Sequence, residues 1–307
     1  MRIVFMGTPD FAVPVLDALI AAGHEIAAVV SQPDREKDKK GNLLPTPVKK
    51  YAVEHALHVL QYDRIGDHVA ALAALRPDVM ITAAFGQLLP PDVLTIAPYG
   101  VLNVHASLLP LYRGASPVQS ALLAGETQTG VTIMRTDIGM DSGELLSRAV
   151  VSIAPFDTAQ TLSETLSAQG ARLLVQTLYK LEAGEIDAVP QDPAKATYCK
   201  KIRKADGLVD WDLSAQEIAC RVRAFNPWPS AYTYLDGALL KIHAATAVEG
   251  NFGAAGSIVC ENGCLTVACG VGGLQLHTVQ LAGKKAMSAE EFLRGRKITA
   301  GTVLRNA

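Results

Sequence analysis

The chain opens on a short apolar run, "RIVF" at residues 2–5, that closes at Gly7 and then changes period. Phe11, Val15, Leu16, Leu19 and Ile20 recur at helical spacing, with Gly23 after them as a stop signal. Pro14 falls in the first turn of that helix, where a missing N–H costs little. "EIAAVV" follows, then a polar loop. Later apolar runs are "DVMITAA" (Asp78–Ala84), "GVLNVH" (Gly100–His105) and "GVTIMRT" (Gly130–Thr136). Short apolar strands separated by helical stretches predict an α/β domain with a mostly parallel sheet covered on both faces. In such sheets ligands bind beyond the carboxyl ends of the strands, and His105 sits at such an end.

Thr158–Glu185 carries a long helical period through Leu162, Leu166, Leu173 and Leu174. The period is lost in "IDAVPQDPAKATY" (Ile186–Tyr198), which holds two prolines and reads as linker. Beyond it a helical piece, Ser214–Ala224, precedes "AYTYL", "ALLKIHAATAV", "GSIVC", "GCLTVAC" and "GLQLHTVQLA". Turn signals at short intervals between these runs predict a small antiparallel barrel. The expected division is residues 1–188, a linker at 189–204, and a second domain at 205–307.

Length and composition agree with two domains: 307 residues, 49% apolar and 19% charged, enough to build sizeable cores. The net charge of −2 gives no general pull toward nucleic acid or anionic membrane. The charge is uneven, however. Lys200–Ala307 holds 13 Lys and Arg against 9 Asp and Glu, so the C-terminal third is basic. Cys199, Cys220, Cys260, Cys264 and Cys269 contain no Cys-x-x-Cys pair and read as buried thiols of a reducing cytosol. "RIVFMG" lacks a signal-peptide layout, and no apolar run reaches about 18 residues, so a cytoplasmic protein off the membrane is expected. "MGTPDFA" is not Gly-x-Gly-x-x-Gly, so no dinucleotide site is expected there. His55 and His58 lack an evident third ligand, so no metal site is expected either. Trp211 and Trp228 read as packing residues.

The chemistry concentrates in "NVHASLLPLYRGASP", residues 103–117. Strand side chains alternate, so Asn103 and His105 point to the same side. An amide and an imidazole on one side can both donate to an oxygen between them, as the tetrahedral intermediate of acyl transfer requires. A carboxylate partner for the histidine would come from "TDIGMDSGE", which offers Asp137 and Asp141. Asp141 lies between Gly139 and Gly143, in a loop whose backbone can approach a ligand closely. Taken singly, each residue also fits a bland role: a strand-end histidine, a turn asparagine, a capping aspartate.

The whole stretch "NVHASLLPLYRGASPVQSALLAGETQTGVTIMRTDIGMDSGELL" (Asn103–Leu146) resembles the signature of the 10-formyltetrahydrofolate-dependent formyltransferases. "RIVFMGTPDFAVPVL", "SQPDR", "PTPVK", "RAFNPWPSAYT" (Arg223–Thr233) and "AGKKAMSAEEF" (Ala282–Phe292) resemble the members of that family that act on initiator methionyl-tRNA. The resemblance implies a Rossmann-like domain followed by an OB-fold-like barrel. It implies that Asn103 and His105 contact the formyl oxygen and that Asp141 pairs with the histidine and assists proton transfer. It implies a folate co-substrate site lined by Ser107, Leu108, Leu109 and Pro110, and by Phe85, Gly86 and Leu88 of the "AAFGQLLP" loop. It gives Ser31–Lys50, with six basic and three acidic side chains from Pro33 on, the role of touching the tRNA acceptor stem. Arg35, Lys37, Lys39 and Lys40 are the candidates there. After "PDR" the family loop runs Pro-Ala-Gly-Arg-Gly-Lys-Lys; here it is Glu36, Lys37, Asp38, Lys39, Lys40, Gly41 and Asn42. The arginine position falls on Lys39, which keeps the charge and loses the planar fork. A second basic area holds Lys200, Lys201, Arg203, Lys204, Lys284, Lys285, Arg294, Arg296 and Lys297. A monomer is expected. Three other readings stand beside this one: a formyltransferase for an amino-sugar nucleotide or another small amine, a formyltetrahydrofolate hydrolase, and a non-enzymatic RNA binder.

Overall fold

A computed structural model describes the chain apart from residues 262, 297, 300–301 and 305–307. The chain forms two compact units: Met1–Pro117 with Gln128–Ser152 and Ser163–Cys199, and Val118–Thr127 with Ile153–Leu162 and Lys200–Ala307.

The strands of the first unit are β1 (Arg2–Gly7), β2 (Glu25–Ser31), β3 (Val59–Gln61), β4 (Val79–Ala83), β5 (Val101–His105), β6 (Arg113–Gly114), β7 (Gln128–Arg135), β8 (Leu145–Ser152) and β9 (Tyr198–Cys199). Seven of them make one sheet in the order β3-β2-β1-β4-β5-β7-β8. The first five run parallel, as the apolar runs predict. β7 and β8 turn back antiparallel. β6 and β9 pair separately, in parallel. β4 is buried along its whole length, and β1 from Ile3 to Gly7, which is why these runs read as continuous rather than alternating. Edge strand β8 does alternate from Ser147 onward, one face half-buried and one exposed.

The helices are α1 (Val13–Ala21), α2 (Pro47–Glu54), α3 (Val69–Ala74), α4 (Pro91–Leu94), α5 (Pro117–Leu123) and α6 (Ala159–Glu182). Pro14 does occupy the first turn of α1. One core cluster joins Val4 and Met6 of β1, Val30 of β2 and Met80 of β4 to Ile65, Leu72, Phe85 and Val93. The chain winds outward from β1 to β3 and then crosses back to β4 on the other side of β1. That reversal leaves a crevice beyond the carboxyl ends of β1 and β4, beside the end of β5.

The second unit has α7 (Ala215–Ala224), β10 (Ala231–Leu235), β11 (Ala238–Val248), β12 (Ile258–Glu261), β13 (Cys264–Ala268), β14 (Gly273–Leu281), β15 (Met287–Ser288) and α8 (Ala289–Gly295). The sheet is antiparallel in the order β10-β11-β14-β13-β12, with β15 on β14. α7 starts where its sequence says it should: Ser214 and Glu217 close a reciprocal cap. Ile218, Val222, Ile242, Val267, Leu274 and Phe292 pack one core with Trp211, whose indole N–H donates to Thr233. Trp228 departs from the packing expectation and is 56% exposed. Cys260 and Cys264 are also exposed, while Cys199, Cys220 and Cys269 are buried. The architecture is the predicted one, an α/β domain with a mostly parallel sheet followed by an antiparallel β domain.

Candidate active site

β5 lies between β4 and β7, with Asn103 in register with Thr82 on one side and Met134 on the other. Alternation sends Asn103 and His105 to one face, and Val104 to the opposite face against Gly170 of α6. The Thr82 hydroxyl donates to Asn103 Oδ1 at 3.0 Å. That bond turns the amide so that Nδ2 faces Asp141, 3.5 Å from its Oδ1.

His105 is buried, and its Nε2 lies 3.0 Å from the Tyr112 carbonyl oxygen. A carbonyl only accepts, so Nε2 carries a hydrogen and Nδ1 is the nitrogen left to gain or lose a proton. Nδ1 faces Asp141 Oδ2 at 3.7 Å, an ion-pair distance rather than a hydrogen bond. The same Oδ2 accepts the Gly114 N–H at 2.8 Å. Asn103, His105 and Asp141 therefore converge, although 38 residues separate the first from the last.

The loop that carries Asp141 folds back on the strand it leaves. Arg135 N–H donates to the Glu144 carbonyl, and a Cβ at Gly143 would collide with the Arg135 carbonyl, so only glycine fits there. Asp137, the other candidate carboxylate, is spent inside the loop, accepting from Gly139 N–H at 3.0 Å and Ser142 Oγ at 2.8 Å. Asp141 itself has φ +48°. Tyr112 (φ +57°) and Ala84 (φ +46°) also occupy the left-handed region, Tyr112 beside His105 and Ala84 directly after β4. Non-glycine residues held in this region gather where the surroundings over-determine them, as at binding sites.

The folate candidates divide by burial. Ser107 is fully buried, donating to the Leu111 carbonyl at 2.6 Å, while its own carbonyl accepts from Thr132 Oγ1 at 2.7 Å. Leu109 is fully buried against Met134 and Leu145, and Phe85 packs in the core. Leu108 and Pro110 are half-buried. Gly86 is exposed with φ +85°, and Leu88 is 89% exposed. The Phe85 carbonyl accepts from both Thr8 Oγ1 and Gln32 Nε2, which pins the 84–90 loop. Ser107, Leu109 and Phe85 thus shape the loops from inside. The outer surface is backbone, Leu88, and two exposed apolar side chains of the aspartate loop, Ile138 and Met140.

In the basic loop, Asp34 accepts from Lys49 Nζ, Thr46 N–H and Gln61 Nε2, closing its base. Burial works against the Asp34 charge, but these bonds hold its carboxyl below the ordinary carboxylate range. At the tip, Lys37 bridges Leu43, and Asp38 accepts from Lys40 N–H, Asn42 N–H and Asn42 Nδ2. Lys37, Lys39 and Lys40 are exposed and form no ion pair among the described residues; Arg35 pairs with Asp63 at 3.5 Å. In the second unit Lys200, Lys201, Arg203, Lys204, Lys284 and Lys285 are exposed, Arg296 pairs with Asp236, and Arg294 lies 4.0 Å from Glu290. Lys297 lies outside the described residues. Among the described residues no three His, Cys, Asp or Glu side chains could hold a metal, and no helix is long and apolar enough to cross a membrane.

Sequence reasoning missed Thr82, the Tyr112 carbonyl, the Gly114 N–H and Gln191. Thr82 left a signal, the one polar residue in the apolar run "VMITAA". Gln191, which donates to the carbonyls of Asp141 and Gly143, left none.

The sequence profile of the formyl transferase family matches residues 1–178, and that of the formyl transferase C-terminal domain matches residues 201–297. The chain belongs to the formyl transferase family. Among its relatives in that family is the methionyl-tRNA formyltransferase of Lachnospira eligens, 46% identical over 313 aligned residues that span 99% of each chain. The methionyl-tRNA formyltransferase of Citrifermentans bemidjiense is 44% identical and covers 99% of this chain and 96% of its own. Among solved structures, the N-formyltransferase of Helicobacter canadensis, determined with folinic acid and dTDP-3-aminofucose, superposes with a TM-score of 0.68. It is 18% identical over 90% of this chain and 98% of its own, which bears on the fold of the formyl transferase alone.

Proposed function

We propose that this chain transfers the formyl group of 10-formyltetrahydrofolate to the α-amino group of methionine on charged initiator tRNA. Relatives above 40% identity along the full length are methionyl-tRNA formyltransferases, and that is the observation that carries the reading. The site has the chemistry such a transfer needs. The amine nitrogen attacks the formyl carbon, and the carbonyl electron pair moves onto oxygen. Asn103 Nδ2 and a protonated His105 Nδ1, both turned toward Asp141, are the donors that would meet that oxyanion. Asp141 is the carboxylate that takes the proton the amine must lose. Return of that proton to the departing folate nitrogen completes the exchange. The exposed Leu88, Ile138 and Met140, on loops flanking the polar cluster, suit the aromatic ring of a donor whose reactive carbon must reach Asn103 and His105.

In this reading residues 1–188 carry the chemistry, residues 189–204 join the domains, and residues 205–307 engage tRNA together with the basic loop. Lys37, Lys39, Lys40, Lys200, Lys201, Lys284 and Lys285, which form no ion pair among the described residues, are with Arg35 the phosphate contacts. The enzyme works as a cytoplasmic monomer, which sedimentation and cell fractionation would check. The deciding assay supplies the folate donor with charged or uncharged initiator tRNA. Formyl transfer to the charged form alone is expected. Release of tetrahydrofolate without an acceptor would convert the reading to a hydrolase, and transfer to an amino-sugar nucleotide instead would overturn the choice of acceptor.

A further inference from the structure

Gln191 belongs to none of the motifs that carry the family resemblance. It sits between two prolines, in the stretch that reads as linker, yet it is only 9% exposed. Its amide is fully used. Nε2 donates to the Asp141 carbonyl at 2.9 Å and to the Gly143 carbonyl at 2.7 Å. Oε1 accepts from Arg113 Nε at 3.0 Å and Nη2 at 2.7 Å. Two donors and two lone pairs are the whole capacity of that amide.

Arg113 is 4% exposed and has no carboxylate in ion-pair range among the described residues. Its guanidinium reaches the Gln191 amide and lies 6.0 Å from the centre of the Tyr198 ring. Its backbone is fixed by the β6–β9 pairing. A buried cation on the amide oxygen polarises the amide and strengthens the N–H donors on its far side. Those donors land on the carbonyl of Asp141, which is itself in the left-handed region, and on that of Gly143 two residues further on. Glutamate at this position would lose both donors, and a lysine or arginine would meet the Arg113 charge.

We propose that Gln191, oriented by Arg113, is a positioning residue for the transfer reaction. It holds the Asp141 carboxylate against Asn103, His105 and the Gly114 N–H. The proposal rests on the function assigned above for its effect on rate, while the clamp on the loop is a matter of geometry and is read out separately.

Gln191→Glu is the informative substitution. The shape is kept and the new carboxylate pairs with Arg113, but both donors are gone and an acceptor oxygen faces the two loop carbonyls. The variant is expected to lose about ten- to a hundredfold in kcat, the cost of misplacing a reacting group by a fraction of an ångström. KM for charged tRNA and for the folate donor should stay within about twofold, because neither is bound by Gln191. Hydrogen exchange reads the clamp without activity. The Gly114 amide, bonded to Asp141 Oδ2, should lose about tenfold in protection, while the Arg113 amide, bonded to the Thr197 carbonyl, keeps its own. Gln191→Met, which removes donors and acceptor without adding charge, should show the same Gly114 signature. Normal kcat with normal Gly114 protection overturns the proposal. So does a fall in Tm with equal loss of protection at Gly114 and Arg113 and activity tracking the folded fraction, since that is a purely structural role. If the wild-type protein transfers no formyl group to charged tRNA but Gly114 still loses protection selectively, the assigned function fails and the clamp stands.

Discussion

The aspartate loop at residues 136–144 and the basic loop at residues 32–46 belong to the same compact unit and are held in opposite ways. In the aspartate loop the functional group itself is bound: the Asp141 carboxylate takes Gly114 N–H, and its backbone carbonyl takes Gln191. In the basic loop the bonds go to the acidic residues. Asp34 closes the base and Asp38 shapes the tip, and Lys37, Lys39 and Lys40 are left without ion-pair partners among the described residues. The difference follows from what each loop does in the function proposed. A carboxylate that moves a proton needs its atoms held to within about half an ångström. Lysines that neutralise phosphates act through charge, over longer distances, and gain from staying mobile.

The comparison breaks most sharply at the centre of the site. His105→Ala and Asp141→Ala should each leave under about a hundredth of kcat/KM, and Asn103→Ala, which removes one oxyanion donor, should raise the barrier by about 2.7–4 kcal/mol. Thermal unfolding should show each variant folded. Turnover near normal in any of them, measured with charged tRNA, would mean that the bound loop is not the chemical one.

The next effect is at the base of the basic loop. Asp34→Asn breaks the ion pair with Lys49 and should raise KM for charged tRNA about tenfold, with kcat unchanged. Acid should act the same way. A carboxyl held low in the folded chain contributes stability above the ordinary carboxylate value, and that contribution disappears as pH falls through the lowered value. Tryptic cleavage in the Lys37–Lys40 segment should therefore stay slow at neutral pH. Digestion by an acid-tolerant protease should speed only as pH falls below the ordinary carboxylate value of about 4 and on through the lowered one, whereas Asp34→Asn should be nicked readily at every pH. Equal cleavage in both proteins at neutral pH would remove the anchoring role.

Single lysines should matter least. Lys39→Ala or Lys40→Ala should weaken tRNA binding a fewfold at low salt and reduce the slope of log affinity against log salt by about one. A change in kcat instead would place the lysine at the reaction and erase the contrast between the loops. Lys39→Arg should keep the wild-type slope and test whether a planar fork at position 39 matters.

Local physics made much of this legible in the chain. Continuous apolar runs located β1, β4 and β5 because both faces of those strands are buried, and the helical piece read at Ser214–Ala224 is α7 together with its capping serine. Alternation by itself places Asn103 and His105 on one face. Other features were closed to such reasoning. Nothing local says that β7 returns antiparallel, because strand direction depends on where the connection re-enters the sheet. The burial of the Ser107, Leu109 and Phe85 side chains is likewise set by the packing around each loop. The family resemblance paired Asp141 with His105, but only the fold added the Gly114 N–H and Gln191, the latter 88 residues beyond Asn103. Periodicity and residue type record what each segment must bury and what chemistry it can offer. Which groups meet is decided when distant segments pack and buried donors and acceptors must find one another.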